Sequence, residues 1–281
     1  MKIDLEGRTG KDAFKFLKEN KRAIYDLKKN EIKLADACAG AEIVKAAKTN
    51  TSGKYLYENN ISEGVLKRTC VCNTYYWLDS HDDVHLANLF SKSITERGEL
   101  ILHLHDHLRE LGAKVGIPIS WKEVNIPWSD LGVTPVSVDK LVPAPTSTQA
   151  LLLESSILKR YNPQVYEMYL NNEINQHSVG MRYVKFDLAI NDPDDSYYKD
   201  EYNVWKEVFP KLGNQQKAFD QGYFFAVKEA ILIENSAVLL GANEITPVLG
   251  SKIEPVKTTQ QNNIKPAVPL DVKSIIKNYL N

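Results

Sequence analysis

Residues 177–190 read "HSVGMRYVKFDLAI". β-branched and aromatic residues dominate this stretch, and apolar and polar positions partly alternate. That pattern predicts a long strand. A second stretch, "GYFFAVKEAILIENSAVLLGAN" (222–243), predicts one or two further buried strands. A third, "GVLKRTCVCNTYYWL" (64–78), is also β-like. "ELILHLHDH" (99–107) alternates as a strand, and "LRELGAKVGIPISWKEV" (108–124) gives a turn and another strand.

Helical patterns lie between and around these strands. Residues 11–29 place Phe14, Leu17, Ile24 and Leu27 near helical spacing with lysines between them. "DSHDDVHLANLFSKSITERG" opens with turn residues and continues as a short helix through Leu86, Leu89, Phe90 and Ile94, stopped by Gly98. "PAPTST" (143–148) reads as a loop and cap, followed by "TQALLLESSILKRY" as a helix with Leu151, Leu152 and Leu158 inward. Asn162 then caps a helix that starts at Pro163, where the missing N–H costs nothing. Its buried stripe is Val165, Met168 and Tyr169. "EYNVWKEVF" and "NQQKAFD" read as two short helices. The expected class is α+β and β-rich. Residues 1–50 form a helical extension, 51–247 the main domain, and 248–281 a linker with a short terminal helix. In that tail, Val272, Ile275, Ile276 and Tyr279 make one apolar stripe suited to docking on the domain itself or on a partner.

Composition narrows the function. The net charge of -1 gives no global attraction to nucleic acid or to an anionic membrane. No apolar run reaches the roughly 18 residues of a membrane span. Three cysteines do not make a disulfide framework and fit a reducing, cytosolic compartment. Cys70 and Cys72 lack a second pair to complete a thiolate metal site.

Chemistry concentrates in the histidines. Five of six lie between His81 and His107. On a strand, His103, His105 and His107 would share a face, and converging imidazoles suit zinc. "HLHDH" is nevertheless one residue short of the HxHxDH signature of metallo-hydrolases. A different reading needs a single histidine. Ser178 opens the long strand, and a serine becomes a nucleophile when a histidine takes its proton and an acid orients that histidine. Glu234 interrupts a segment otherwise built for burial, where an unpaired carboxylate would be costly. Residue patterns alone also allow Ser178 to be a small strand residue and Glu234 to lie on a wet face.

Three segments, in this order, resemble the phage prohead (capsid maturation) proteases, serine peptidases related to herpesvirus assemblins. "LDSHDDVHLANLFSKSITERGELILHLHDH" (78–107) is similar to the family's turn, helix and histidine-ended strand. "YLNNEINQHSVGM" (169–181) is similar to its helix followed by "hSxGf". "ENSAVLLGAN" (234–243) is similar to its "ExSxVxxxAN". "TQALLLESSILKRYN" and "QHSVGMRYVKFDLAIN" resemble a branch found in phages of Bacteroidetes hosts. The resemblance implies an assemblin-like barrel ringed by helices, with Ser178 as nucleophile, His107 as base and Glu234 as third member. His105 is the alternative base, because His105-Asp106 also matches a frequent family pair. No cofactor is implied. The implied partners are the major capsid protein and scaffold as substrates, together with the protease itself, inside an immature shell in the host cytoplasm; a homo-oligomer is compatible with this. The alternatives are a zinc hydrolase on His103, His105 and His107, and a non-enzymatic capsid component on the same fold.

Overall fold

The computed structural model describes residues 2–33, 55–139 and 143–250. The expected terminal linker and helix lie outside the described residues from Ser251 onward, and so does Cys38. The fold is α+β, with several helices around one large mixed sheet of nine strands. No helix among the described residues is long and apolar enough to cross a membrane.

In chain order, α1 is Gly10–Glu19 and α2 is Lys21–Asn30. β1 is Tyr57–Asn60, β2 Val65–Thr74 and β3 Asp83–His85. α3 is Ser91–Arg97, followed by β4, Leu102–His105, and β5, Lys114–Pro127. β6 is Ser147–Leu158, α4 Pro163–Leu170 and β7 His177–Ile190. α5 is Lys199–Val208 and α6 Gln215–Gln221, before β8, Tyr223–Ala237, and β9, Val248–Leu249. The strand order is β1-β2-β6-β5-β4-β8-β3, with β7 on β8 and β9 on β2. Among the described residues this path does not close on itself, so the pairings draw an open mixed sheet, and the closed barrel that the resemblance implies is not shown.

β7 and β8 form the long antiparallel ladder, paired from His177↔Ala237 to Ile190↔Tyr223. The other edge of β8 takes two short parallel strands, β3 on its first half and β4 on its second. Val248–Leu249, read from sequence as the start of the linker, instead pair with Thr69 and Cys70 of β2.

Three sequence expectations are corrected. Residues 148–158 were expected to be helical and are strand β6. They pair with β2 on one side and β5 on the other, and Ala150 to Leu153 are buried. A strand covered on both faces carries a continuous apolar run, which short-range periodicity does not separate from a buried helix. The single helix expected over 11–29 is two helices, broken at Asn20, whose side-chain amide donates to the Phe16 carbonyl at 2.9 Å. The helix expected through Leu86 and Leu89 begins only at Ser91, because Asp83–His85 are taken into the sheet by β8.

The N-terminal helices cover β7 and its surroundings. The Leu188 N–H donates to the Tyr25 hydroxyl at 2.7 Å. Phe14 packs on Gly222, where a Cβ would sit 2.7 Å from its ring and φ is +78°. α2 and the bridge that follows it also deliver two lysines into the interior. Lys28 and Lys33 are buried, and both donate to Asp83, Lys28 at 2.6 Å. The Tyr183 hydroxyl donates to the same carboxylate at 2.8 Å. Burial pushes Asp83 up, and the two ammonium groups overcome this and hold it well below the usual carboxylate range.

Candidate active site on strands β4, β7 and β8

β4 ends at His105, and the chain then turns sharply. Asp106 and His107 are consecutive non-glycine residues with φ of 49° and 55°. Left-handed backbone at such residues costs about 1–3 kcal/mol each and persists where surrounding bonds impose it. Those bonds are identifiable. The Asp106 N–H donates to the Ala237 carbonyl at 3.0 Å, and the Leu108 N–H closes the turn on the His105 carbonyl at 3.1 Å. The His107 N–H donates to Ser236 Oγ at 3.1 Å.

The turn aims the His107 ring at Glu234. Nδ1 lies 2.6 Å from Glu234 Oε1, and the two side chains are 7% and 2% exposed. The other carboxylate oxygen, Oε2, accepts from Ser236 Oγ at 2.7 Å. A short bond between buried partners fixes the imidazole tautomer. Nδ1–H donates to the carboxylate, which leaves Nε2 as the proton acceptor.

The β7–β8 register brings Ser178 to the same place. Ser178 is directly opposite Ser236, and Gly180 is opposite Glu234. Directly paired residues share a face, with Cα atoms about 4.5–5.5 Å apart. Ser178 and Gly180, two apart, also share that face. Gly180 confirms where the carboxylate lies, since a Cβ there would sit 2.1 Å from Glu234 Oε1. Glu234 therefore folds across β7 on the side that carries Ser178. The register shifts immediately after Gly180, and the Met181 N–H beyond it is taken by the Lys33 carbonyl at 3.1 Å.

Gly180→Ala is accordingly expected to cost about 1–3 kcal/mol through overpacking. It should also displace the carboxylate from the His107 ring. The checks are a thermal melt and loss of the downfield Nδ1–H proton resonance of His107.

The other histidines are committed elsewhere. His103 is fully buried, with Nδ1 2.9 Å from Ser155 Oγ and Nε2 3.2 Å from the Tyr169 hydroxyl. Burial and the nearby His177 push its pKa down to about 3. His177 contacts the same Tyr169 hydroxyl at 2.8 Å, and burial takes it to about 4. His105 leans on Asp106 at 3.1 Å. His103, His105 and His107 thus turn to different partners instead of converging, because β4 ends at His105 and the left-handed turn redirects His107. Among the described residues, Asp79, His81 and Asp83 could in principle hold a metal. Two ammonium groups already contact Asp83 there, so the donor set does not suit a cation. Cys70 and Cys72 are buried thiols, and burial pushes Cys70 to about 12, which leaves it unreactive.

Sequence reasoning assigned no role to Ser236. Its position two residues after Glu234 was the available signal, because strand period places both on one face. No protein-family model, curated protein or solved structure matches this chain.

Proposed function

We propose that this chain is a serine endopeptidase with Ser178 as nucleophile, His107 as general base and Glu234 as the orienting acid. One observation carries the reading. A strained turn after β4 brings a histidine onto a buried carboxylate of β8, and the β7–β8 ladder sets a serine on the same face as that carboxylate, beside a glycine with no room for a side chain.

In this reading, His107 Nε2 takes the Ser178 proton as Oγ bonds to the scissile carbonyl carbon. The imidazolium formed is stabilised by Glu234, which Ser236 holds through its second oxygen. The proton then passes to the leaving amine as the C–N bond breaks. Water, deprotonated by the same imidazole, hydrolyses the acyl-enzyme. The resemblance of the three segments to phage prohead proteases supplies the substrate class. The substrates would be the scaffold or capsid protein and the protease itself, cut inside an immature shell in the host cytoplasm.

The test is labelling with a serine-directed fluorophosphonate. A single adduct on Ser178 is expected, located by mass spectrometry. His107→Ala should abolish labelling, whereas His105→Ala should lower it far less. If His105→Ala is the silent variant, the base is misassigned. If no adduct forms on Ser178 in the wild-type protein, the proposal fails.

A further inference from the structure

We infer that the exposed apolar face formed by Leu100, Leu102, Ile117 and Ile119 is the docking site of this chain's own C-terminal segment, residues 270–280, bound as a short amphipathic helix. The inference is independent of the serine mechanism, since it assigns a surface and its occupant.

The register builds the face. β4 and β5 are antiparallel with His103 opposite Gly116, so Leu102 and Ile117, the next residue on each strand, are neighbours. His103 and Gly116 share the buried side, since a Cβ on Gly116 would sit 3.2 Å from His103 Nδ1. Leu102 and Ile117 therefore point the opposite way, outward. Leu100 lies on the same side, two residues before Leu102 and across the buried Ile101. Ile119 lies two residues beyond Ile117, where β5 bulges between Pro118 and Ser120. Because the strands run in opposite directions, Leu100 and Ile119 fall on the same flank of the Leu102–Ile117 pair. The four side chains thus form one block, and each is between 42% and 69% exposed. Single exposed apolar residues are ordinary, whereas a contiguous group on a sheet marks a binding surface.

The chain itself indicates the occupant. Residues 251–281 lie outside the described residues, and their sequence carries one apolar stripe, Val272, Ile275, Ile276 and Tyr279. Asp271 is placed to cap that helix, and Leu270 and Ile275 fall at the two positions of a hydrophobic staple. A helix of about ten residues is marginal alone in water, so it needs a surface that takes its stripe. The stripe runs about 10 Å from Val272 to Tyr279 at 1.5 Å per residue. The block is comparable, about 7 Å along the strands and about 5 Å across them before the side chains are added.

Reach is ample. Leu249 of β9 is opposite Thr69 of β2, Thr69 is opposite Glu154 of β6, and Glu154 is opposite Ser120 of β5. Leu249 thus stands three strand spacings, about 15 Å, from Ser120, the neighbour of Ile119. Residues 251–269 have a linker's composition and span up to about 60 Å when extended. Leu102 is also paired with Glu234, so the docked helix lies beside the candidate active site.

The test uses the full chain with the photo-crosslinking residue p-benzoylphenylalanine in place of Ile276. Irradiation should give an adduct on the peptides that carry Leu100–Leu102 or Ile117–Ile119, located by mass spectrometry. Leu100→Asp and Ile117→Asp each put a charge at an exposed position of the face. Each should lower that adduct by about tenfold or more, with a thermal melt showing that the protein is folded. Mixing unlabelled and isotope-labelled chains separates docking within one chain from docking between two, and the proposal requires adducts within one chain. Adducts between differently labelled chains assign the face to a second copy and overturn it. Adducts on another surface, no adduct at all, or an adduct on this face that both aspartate variants leave unchanged also overturn it. None of these readouts depends on Ser178, so they stand or fall apart from the endopeptidase reading.

Discussion

Ser178→Ala is expected to lower peptide-bond cleavage by roughly 10⁴- to 10⁶-fold while the protein stays folded. The size of the effect follows from the proposed mechanism, in which without Oγ no acyl-enzyme forms and only direct attack by water remains. The fold should survive for a local reason. Ser178 lies in the β7–β8 ladder, held by backbone pairing to Ser236, and alanine keeps that pairing. The measurement is co-expression with the capsid protein proposed as substrate and comparison of the masses of the products. His107→Ala should be comparably damaging, and the double variant no worse than either single one, because residues acting as one unit are strongly non-additive. Processing near the wild-type level in Ser178→Ala would remove the nucleophile assignment.

The second large effect is on stability in acid. Four histidines are buried and held neutral. Burial takes His81 and His103 down to about 3 and His85 and His177 down to about 4. In the unfolded chain they return to about 6.5. Between those values the unfolded state binds protons that the native state refuses, so stability falls as pH drops from 6.5 toward 4. Asp79 works the other way. Burial and the neighbouring Asp83 raise it to about 7, so the native state keeps a proton that the unfolded chain has lost. Asp82 is also raised, chiefly by burial. Four histidines against Asp79 leave a net loss on the order of 5 kcal/mol between pH 7 and pH 5, at about 1.4 kcal/mol per group and pH unit. That is comparable with the whole stability of an ordinary domain. Urea unfolding at pH 7.5, 6 and 5 should show the midpoint collapsing over this range. A midpoint that stays constant would mean that the histidines are not neutral and buried as described.

Much of the scaffold was legible along the chain. The long strands around His177–Ile190 and Tyr223–Ala237 follow from β-branched and aromatic runs. The start of α4 follows from Asn162 and Pro163, and the Asn162 side chain indeed accepts from the Val165 N–H at 3.0 Å. The helices at 199–208 and 215–221 follow from local pattern as well. Ser178 and Glu234 stood out by residue type and place, while the choice of His107 among six histidines came only from the resemblance of three segments to phage prohead proteases.

Tertiary structure decided the rest. Whether 147–158 is helix or strand depended on having β2 and β5 on either side, which a local window does not contain. Whether three histidines bind one ion or serve separate purposes depended on where β4 stops and on the left-handed turn after it. The role of Ser236 depended on its register opposite Ser178. The burial of Lys28 and Lys33 depended on Asp83, which lies 55 and 50 residues further along the chain. Sequence periodicity reports which face a residue shares with its near neighbours. Partners for buried charge, and the convergence of a site, come from contacts between segments far apart in the chain, and only the folded arrangement of the strands sets those.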